Sequence, residues 1–415
     1  MNTIQVFSFI ITLTAIFSYL NYRYFKLPTS IGVMLISLLM SLVLIGLGKL
    51  GLTIVVETAE NLLIQIDFNK TLMQGMLSFL LFAGALHINL NDLIERKYII
   101  ASLATGGVIF STIFYGAVMY FVFNMLGFNL NFLYCLLFGS LISPTDPIAV
   151  LGVLKSGKVP RSLTAIISGE SLFNDGVGVV VFTILFEMAA GDHPFEISHV
   201  GLLFMEEAVG GILFGFLLGL ITYRLLKTVD DYQVEVLITL ALVMGGYSLA
   251  SAIHTSGPIS IVVAGLFIGN HGRRFAMSEK SRLHLDTFWE LMDGILNSVL
   301  FVLIGLEILL ISFSSALLTA GIIAIPILLL VRWSSVGLPV LIVSRWRSFT
   351  PGAITIMTWG GLRGGISVAL VLSLPVGDER QILLAITYII VLFSIVVQGL
   401  TIKHVVSRLM TKFCP

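Results

Sequence analysis

Thirteen apolar stretches divide this chain of 415 residues. A helix needs about 20 consecutive apolar residues to cross the hydrocarbon core of a bilayer. Boundaries good to a few residues place the stretches at 4–20, 29–48, 72–90, 98–122, 131–154, 162–190, 200–223, 233–252, 256–270, 288–312, 315–343, 354–375 and 381–402. Each is read as a spanning helix. Only 11 % of the residues are charged and 57 % are hydrophobic, whereas a soluble domain carries about 25 % charged residues. The chain is therefore expected to be an all-α polytopic membrane protein embedded in the lipid bilayer. The stretch 52–66 is apolar but carries Glu57 and Glu60, and is expected as an interfacial loop or short helix. No soluble domain is expected, because 403–415 is only a short tail.

Other classes drop out quickly. The formal net charge is zero, so nothing points to nucleic acid. Cys135 and Cys414 are the only cysteines, too few for a disulfide framework or a cysteine metal site. No Lys or Arg precedes Arg23 and no small-residue cleavage site follows the first apolar run, so that run reads as a helix rather than a signal peptide.

Basic residues give an orientation. Loops after odd-numbered stretches, together with the tail, hold eighteen of the 23 Lys and Arg residues; loops after even-numbered stretches hold Lys49, Lys70 and Arg380. Arg332 and Arg363 lie within helices. The asymmetry predicts an N-terminus outside and a C-terminus in the cytoplasm.

The chain also resembles itself. Leu80 to Ile88 (LLFAGALHI) and Phe301 to Ile308 (FVLIGLEI) are similar, and seven stretches apart they would cross in opposite directions. Two stretches after the first lies a span interrupted by Pro144 and Pro147. Two after the second lies one interrupted by Gly360-Gly361 and Gly364-Gly365, with Arg363 between. Paired interruptions at corresponding places of two halves point to a transporter site. The expected architecture is two inverted six-helix repeats, with the fifth and twelfth helices discontinuous and the seventh joining the halves.

Chemistry concentrates at those interruptions. Pro144 and Pro147 each lack an N–H and obstruct the preceding turn. Freed carbonyls are tolerated at membrane depth only in contact with protein or along a cavity. A carboxylate there costs about 2.5–3.5 kcal/mol even on lenient scales, so Asp146 is expected either on an ion path or capping a half-helix. Carbonyl oxygens, the Thr145 hydroxyl and Asp146 make a hard site suited to Na⁺, Li⁺ or H⁺. In the next stretch Ser171 and Asp175 share one helical face, and Glu170 and Asn174 the adjacent one. Ser171 and Asp175 are expected to ligate an ion beside Asp146. Glu170 either forms a buried ion pair with Arg332 or Arg363, the two intramembrane bases, or is hydrated near the helix end. Glu187, Glu206 and Glu207 are read as structural or entrance carboxylates, facing water or pairing with Arg224 or Arg332. Glu290, Asp293 and Glu307 are expected in packing or along a cytoplasmic path. His87, His254 and His271 are expected as anchors near helix ends, and Trp289, Trp333, Trp346 and Trp359 mostly as interface anchors.

The segments SPTDP (143–147), GESLFND (169–175), GNHGR (269–273), FWELMDGILNSVLFVLIGLEI (288–308) and GGLRGG (360–365) resemble the monovalent cation:proton antiporter-1 family of NhaP- and NHE-type Na⁺/H⁺ exchangers. The resemblance spans the whole apolar region. It implies a homodimer with thirteen helices per protomer, in a prokaryotic inner membrane. A mobile core (98–190 and 315–402) would work against a dimer scaffold (1–90 and 200–312). It places the ion-binding motifs on Thr145-Asp146 and Asn174-Asp175, the site serine on Ser171, and a buried ion pair on Glu170 and Arg363. The implied activity is secondary active exchange of Na⁺, or Li⁺, for H⁺ by alternating access, the two competing for Na⁺ ligands at Thr145, Asp146, Ser171 and Asp175. With Asn174 where some antiporters carry a second aspartate, 1:1 electroneutral exchange is expected. No cofactor beyond the transported ions is expected, and no enzymatic activity. A K⁺/H⁺ antiporter or a cation channel are the alternatives. A hydrolase is disfavoured: GESLF is not a nucleophile elbow, and no His-Glu-x-x-His occurs.

Overall fold

A computed structural model describes residues 3–51, 63, 68–147, 150–152, 160–191, 197–345 and 349–413. All regular structure among them is helical. The helices are α1 (Thr3–Leu20), α2 (Thr29–Lys49), α3 (Leu77–Leu86), α4 (Gly107–Met125), α5 (Phe132–Ile142), α6 (Arg161–Ala190), α7 (Gly210–Leu226) and α8 (Tyr232–Ala252). They continue as α9 (Gly257–Phe267), α10 (Glu279–Glu307), α11 (Ser315–Val343), α12 (Ala353–Trp359), α13 (Gly365–Leu372) and α14 (Asp378–Phe393). Several begin where the sequence supplies an acceptor for the orphan N–H groups of a first turn. Asn131 accepts from Leu133, Asp231 from Gln233 and Val234, Ser278 from Ser281, and Ser314 from Leu317.

Every one of the thirteen apolar stretches holds helix, but they are not equal. Among the described residues nine helices are long and apolar enough to cross a membrane. The stretches 72–90, 131–154, 256–270 and 354–375 are not among the nine; their α-helices are the shorter α3, α5, α9 and the α12–α13 pair, with π-helical turns at Thr71–Met76 and Ile268–Gly272 extending α3 and α9. Those short helices are sheathed in protein: α9 is buried along nearly its whole length and α3 along most of it. A helix enclosed by other helices need not match the thickness of lipid by itself. The stretch 52–66, apart from Leu63, lies outside the described residues, as do Lys155, Lys158, Trp346, Arg347 and Cys414.

Two apolar cores sit on either side of the helix breaks. One gathers Tyr115, Phe123 and Phe138 from α4 and α5 with Ile304 from α10 and Tyr388 from α14. The other gathers Phe82, Ile261, Val243 and Trp289 from α3, α9, α8 and α10. Trp289 is a correction to the sequence reading. It is fully buried, packs on Phe82 and donates its indole N–H to Thr239 Oγ1 at 3.1 Å, so it anchors a core and not a membrane interface. Trp333, by contrast, is exposed.

The crossing of α4 and α5 fixes where the first break falls. A side chain on Gly139 would collide with the Thr112 carbonyl, and one on Gly116 with that of Cys135. Small residues facing each other let the two backbones touch. The end of α5 is thereby pressed into the interior, against α6 and the second break.

Candidate functional site

After Ile142 the chain leaves the helix and runs irregularly through Ser143, Pro144, Thr145, Asp146 and Pro147. The second interruption, from Gly360 to Gly364, separates α12 from α13. The two breaks meet. Asp146 and Leu362 form an isolated antiparallel bridge, with Asp146 N donating to Leu362 O at 2.9 Å. Backbone freed from one helix is thus satisfied by backbone freed from the other, as an interior without water requires.

Charge at the breaks is arranged the same way. Arg363 is fully buried and donates through Nη1 to Ser143 O at 2.8 Å and Pro144 O at 2.9 Å. A cation thus sits on the carbonyl end of α5, where the helix dipole is negative. Its backbone N–H donates to Ser394 Oγ at 3.1 Å; Ser394 donates to Gln398 Oε1 at 2.5 Å, and Gln398 Nε2 to Trp359 O at 3.0 Å. Arg332 sits at the carbonyl end of α12, reaching Met357 O at 3.5 Å while Nη1 donates to Glu170 Oε1 at 2.5 Å. Each half-helix end therefore carries its own arginine.

That arrangement corrects the expected Glu170–Arg363 pair. The structure pairs Glu170 with Arg332, both sides being buried. Arg363 is occupied by the α5 carbonyls instead. The physical reason is reach: α11 runs beside α12 and brings Arg332 to the Glu170 face of α6, while Arg363 leaves the second break on the side of the first.

The TD and ND segments come together. Ser171 Oγ donates a short hydrogen bond to Thr145 O. Asn174 Oδ1 accepts from Thr145 N at 3.4 Å, and Asn174 Nδ2 donates to Thr145 Oγ1 at 2.8 Å. Both ends of the Asn174 amide are spent on Thr145, so it is placed as a brace of the first break. Asp146 lies against the backbone at Gly364, where a side chain would come within 2.8 Å of Asp146 Oδ2. Asp146 and Asp175 are close enough for their charges to interact.

Thr145, Asp146, Ser171 and Asp175 all line one cavity of about 1070 Å³. Glu170, Asn174 and Arg363 do not; their polar groups turn into protein. The expected division of α6 into two faces is what the structure contains. The same cavity is also lined by Asn297, Asp293 and Glu290 of α10 and by His87, Asn89, Asp92 and Arg161. Glu187, Glu206 and Glu207 lie elsewhere: Glu187 and Glu206 are exposed, and Glu207 interacts electrostatically with both and with His254. Sequence reasoning gave no role to Ser394, Gln398 or Leu362, which hold the second break; nothing in their types or spacing marks them. Four oxygen-bearing residues lining one cavity can bind a hard monovalent cation or a proton.

Comparison with known proteins agrees in scope with this geometry. A model of the family described as sodium/hydrogen exchanger, transmembrane, matches residues 10–408. The chain is 48 % identical over 404 residues to the Na(+)/H(+) antiporter NhaP of Pseudomonas aeruginosa, covering 96 % of this chain and 95 % of that protein. It is 36 % identical over 380 residues to the Na(+)/H(+) antiporter NhaH of Halobacillus aidingensis, covering 89 % and 91 %. Among solved structures it resembles the sodium proton antiporter MjNhaP1 from Methanocaldococcus jannaschii at pH 8, with a TM-score of 0.75, 17 % identity and coverage of 99 % and 100 %. At that identity the likeness concerns the fold.

Proposed function

Because the chain belongs to the sodium/hydrogen exchanger family, we propose that it is a Na⁺/H⁺ antiporter of the membrane, with Na⁺ and H⁺ competing for one site made by Thr145, Asp146, Ser171 and Asp175. The observation that carries the reading is the convergence of these four residues, from the first break and one face of α6, on a single cavity. Thr145 contributes its carbonyl and Ser171 its hydroxyl, which bond each other. A cation arriving between them takes both oxygens, with Asp146 and Asp175 supplying charge. A proton on Asp175 removes that charge, so the two cargoes exclude one another.

Asn174 acts as the brace that keeps Thr145 in place. Glu170 with Arg332, and Arg363 with the α5 carbonyls, hold the crossed breaks as one body. In this reading 98–190 and 315–402 form a core that carries the site, and 1–90 and 200–312 a scaffold against which it moves. Both the thirteen crossings and the inverted six-helix repeats belong to the reading, supported by helix in every expected stretch and by the meeting of the two breaks. The N-terminus lies outside and the C-terminus in the cytoplasm of a prokaryotic plasma membrane. The cavity then opens to the cytoplasm, since its far end lies at His87, Asn89, Asp92 and Arg161, beside the basic loops. A homodimer completes the reading; the exposed apolar faces of α1 and α7, including Phe7, Leu213, Phe216 and Leu217, are surfaces that lipid or a second copy would cover.

One carboxylate exchanging one proton for one Na⁺ makes the cycle electroneutral, at 1:1. The test is transport in proteoliposomes with imposed Na⁺, Li⁺ or K⁺ gradients, read by an internal pH dye. The expected result is proton movement driven by Na⁺ and insensitive to a clamped membrane potential. Proton movement driven by K⁺ alone would assign a K⁺/H⁺ antiporter. Cation flux without proton coupling would assign a channel and overturn the reading.

A further inference from the structure

Outside the four-residue site, the same cavity is lined by a polar stripe on α10. Asp293 and Asn297 are four residues apart and share a face of that helix. Both line the cavity. Asn297 is only 4 % exposed, and its Nδ2 donates to Asp293 Oδ1 at 2.9 Å. The carboxylate fixes the orientation of the amide, because only the NH₂ end can donate to it. The Asn297 Oδ1 atom is the end of the amide that Asp293 leaves unused, and it is buried with no hydrogen-bond partner in the protein. A buried carbonyl oxygen without a donor is uncommon and costly. Ser367, on α13, lines the same cavity and has a buried hydroxyl that likewise has no hydrogen-bond partner in the protein. Beside a carboxylate, an amide oxygen with no donor makes a small oxygen-only pair of the kind that hard cations select.

We infer that Asp293 and Asn297 form a second cation station, on the scaffold side of the cavity, which Na⁺ occupies between the cytoplasm and the Asp146–Asp175 site. The inference rests on the antiporter reading. None of the four site residues is on α10, and α10 belongs to the part of the molecule that stays still as the core moves. The station is thus next to the site only while the core faces the cytoplasm. Its ligands affect capture of Na⁺ from that face, and not from the outer one. Glu290, about one turn nearer the cytoplasmic end and exposed, adds negative charge along the approach.

The test is Na⁺-driven exchange in oriented proteoliposomes, with the apparent KM for Na⁺ measured separately at each face. Asn297→Leu keeps the branched shape and removes the amide oxygen and NH₂ together. It is expected to raise the cytoplasmic KM by about tenfold, the scale of one lost polar contact to a charge, without moving the outer one. Asp293→Asn, near-isosteric, is expected to do the same and carries the test if Asn297→Leu fails to fold. Asn297→Asp, which retains an oxygen and adds charge, is expected to lower the cytoplasmic KM. A KM unchanged at both faces would mean that water alone satisfies Oδ1. A KM raised equally at both would mean a structural effect on the main site. Either result overturns the station while wild-type exchange stands. Absence of Na⁺/H⁺ exchange by the wild type overturns the antiporter reading and the station with it.

Discussion

The first helix break is made by two prolines and carries an aspartate; the second is made by four glycines and carries an arginine. Each satisfies the other. Arg363 of the second takes the carbonyls of Ser143 and Pro144, and Leu362 takes the N–H of Asp146. They differ in what they turn toward the cavity. The first presents Thr145 and Asp146, whereas the second presents the backbone of Gly364 and Gly365, with Arg363 buried behind it. Proline frees carbonyls by removing donors, so a proline break presents an oxygen-rich surface. Glycine permits close approach without adding a side chain, so a glycine break lets another group's carboxylate lie against it. The first break and its α6 partner are therefore expected to carry transport, and the second break to carry stability.

The largest expected effect tests that division outright. Asp175→Asn removes the titrating charge from the cavity face of α6, and exchange should fall to background with the folded protein retained. Asp146→Asn should be strongly impaired for the same reason. Robust Na⁺-driven proton flux in purified Asp175→Asn would sink the assignment of transport to this side of the crossing.

Next in size is stability at the buried arginines. Removing one partner of a buried ion pair typically costs about 3–5 kcal/mol, because a lone charge is left behind. Glu170→Ala and Arg332→Ala should each destabilise the protein on that scale, and the double variant should cost clearly less than their sum. Glu170→Ala with Arg363→Ala should couple more weakly, since Arg363 gives Nη1 to Ser143 and Pro144 and meets Glu170 only through its charge. Thermal unfolding of the single and double variants in detergent measures both couplings. Strong coupling of Glu170 to Arg363, and none to Arg332, would return the pair to the second break.

That contrast also marks how far the sequence can be read. The thirteen stretches and the two breaks are legible because apolar length, proline and glycine act locally. The two faces of α6 are legible because the spacing of Ser171, Asp175, Glu170 and Asn174 sets them by helical geometry alone. The partner of Glu170 is not legible. Arg332 is 162 positions away on α11, and only packing of α11 beside α12 decides between it and Arg363. Burial of Trp289 is hidden for the same reason: a tryptophan near the end of an apolar run suits an interface or a core, and the neighbours Phe82 and Thr239 come from distant helices. The face that carries Asn174 follows from helical spacing, but its use as a brace depends on where the first break comes to rest.

A third test asks whether the cavity side binds both cargoes in one place. If Na⁺ and H⁺ share Asp175 and its neighbours, lowering pH below the site's own titration must weaken apparent Na⁺ binding without changing the amount bound at saturation. The dissociation constant should rise about tenfold per pH unit, because one proton must leave for each ion that enters. Linkage requires saturating Na⁺ to weaken proton binding by the same factor. Calorimetric Na⁺ titrations at several pH values read the slope. A constant that ignores pH, with a maximal flux that follows it, belongs to a channel gated by a separate proton.

The smallest expected effects concern the braces, one on each break. Asn174→Ala removes both of its hydrogen bonds to Thr145 and leaves only the one from Ser171, and Ser394→Ala removes the acceptor of the Arg363 N–H. A net hydrogen bond contributes about 0.5–1.5 kcal/mol to stability, somewhat more when its partner is left buried and unpaired. Both variants should therefore lower stability by a similar, modest amount. Their effects on Na⁺ should separate. Thr145 supplies the carbonyl that Ser171 bonds and that the cation is expected to take, so loosening it should weaken Na⁺ affinity by several-fold. Arg363 is still held by Ser143 and Pro144 when Ser394 loses its hydroxyl, and it faces away from the cavity, so affinity should stay within about twofold. Paired measurements of unfolding temperature and Na⁺ dissociation constant decide the matter. Equal losses of affinity in the two variants would mean that the crossing transmits strain from either break to the site, and that the division between a transporting break and a supporting one does not hold.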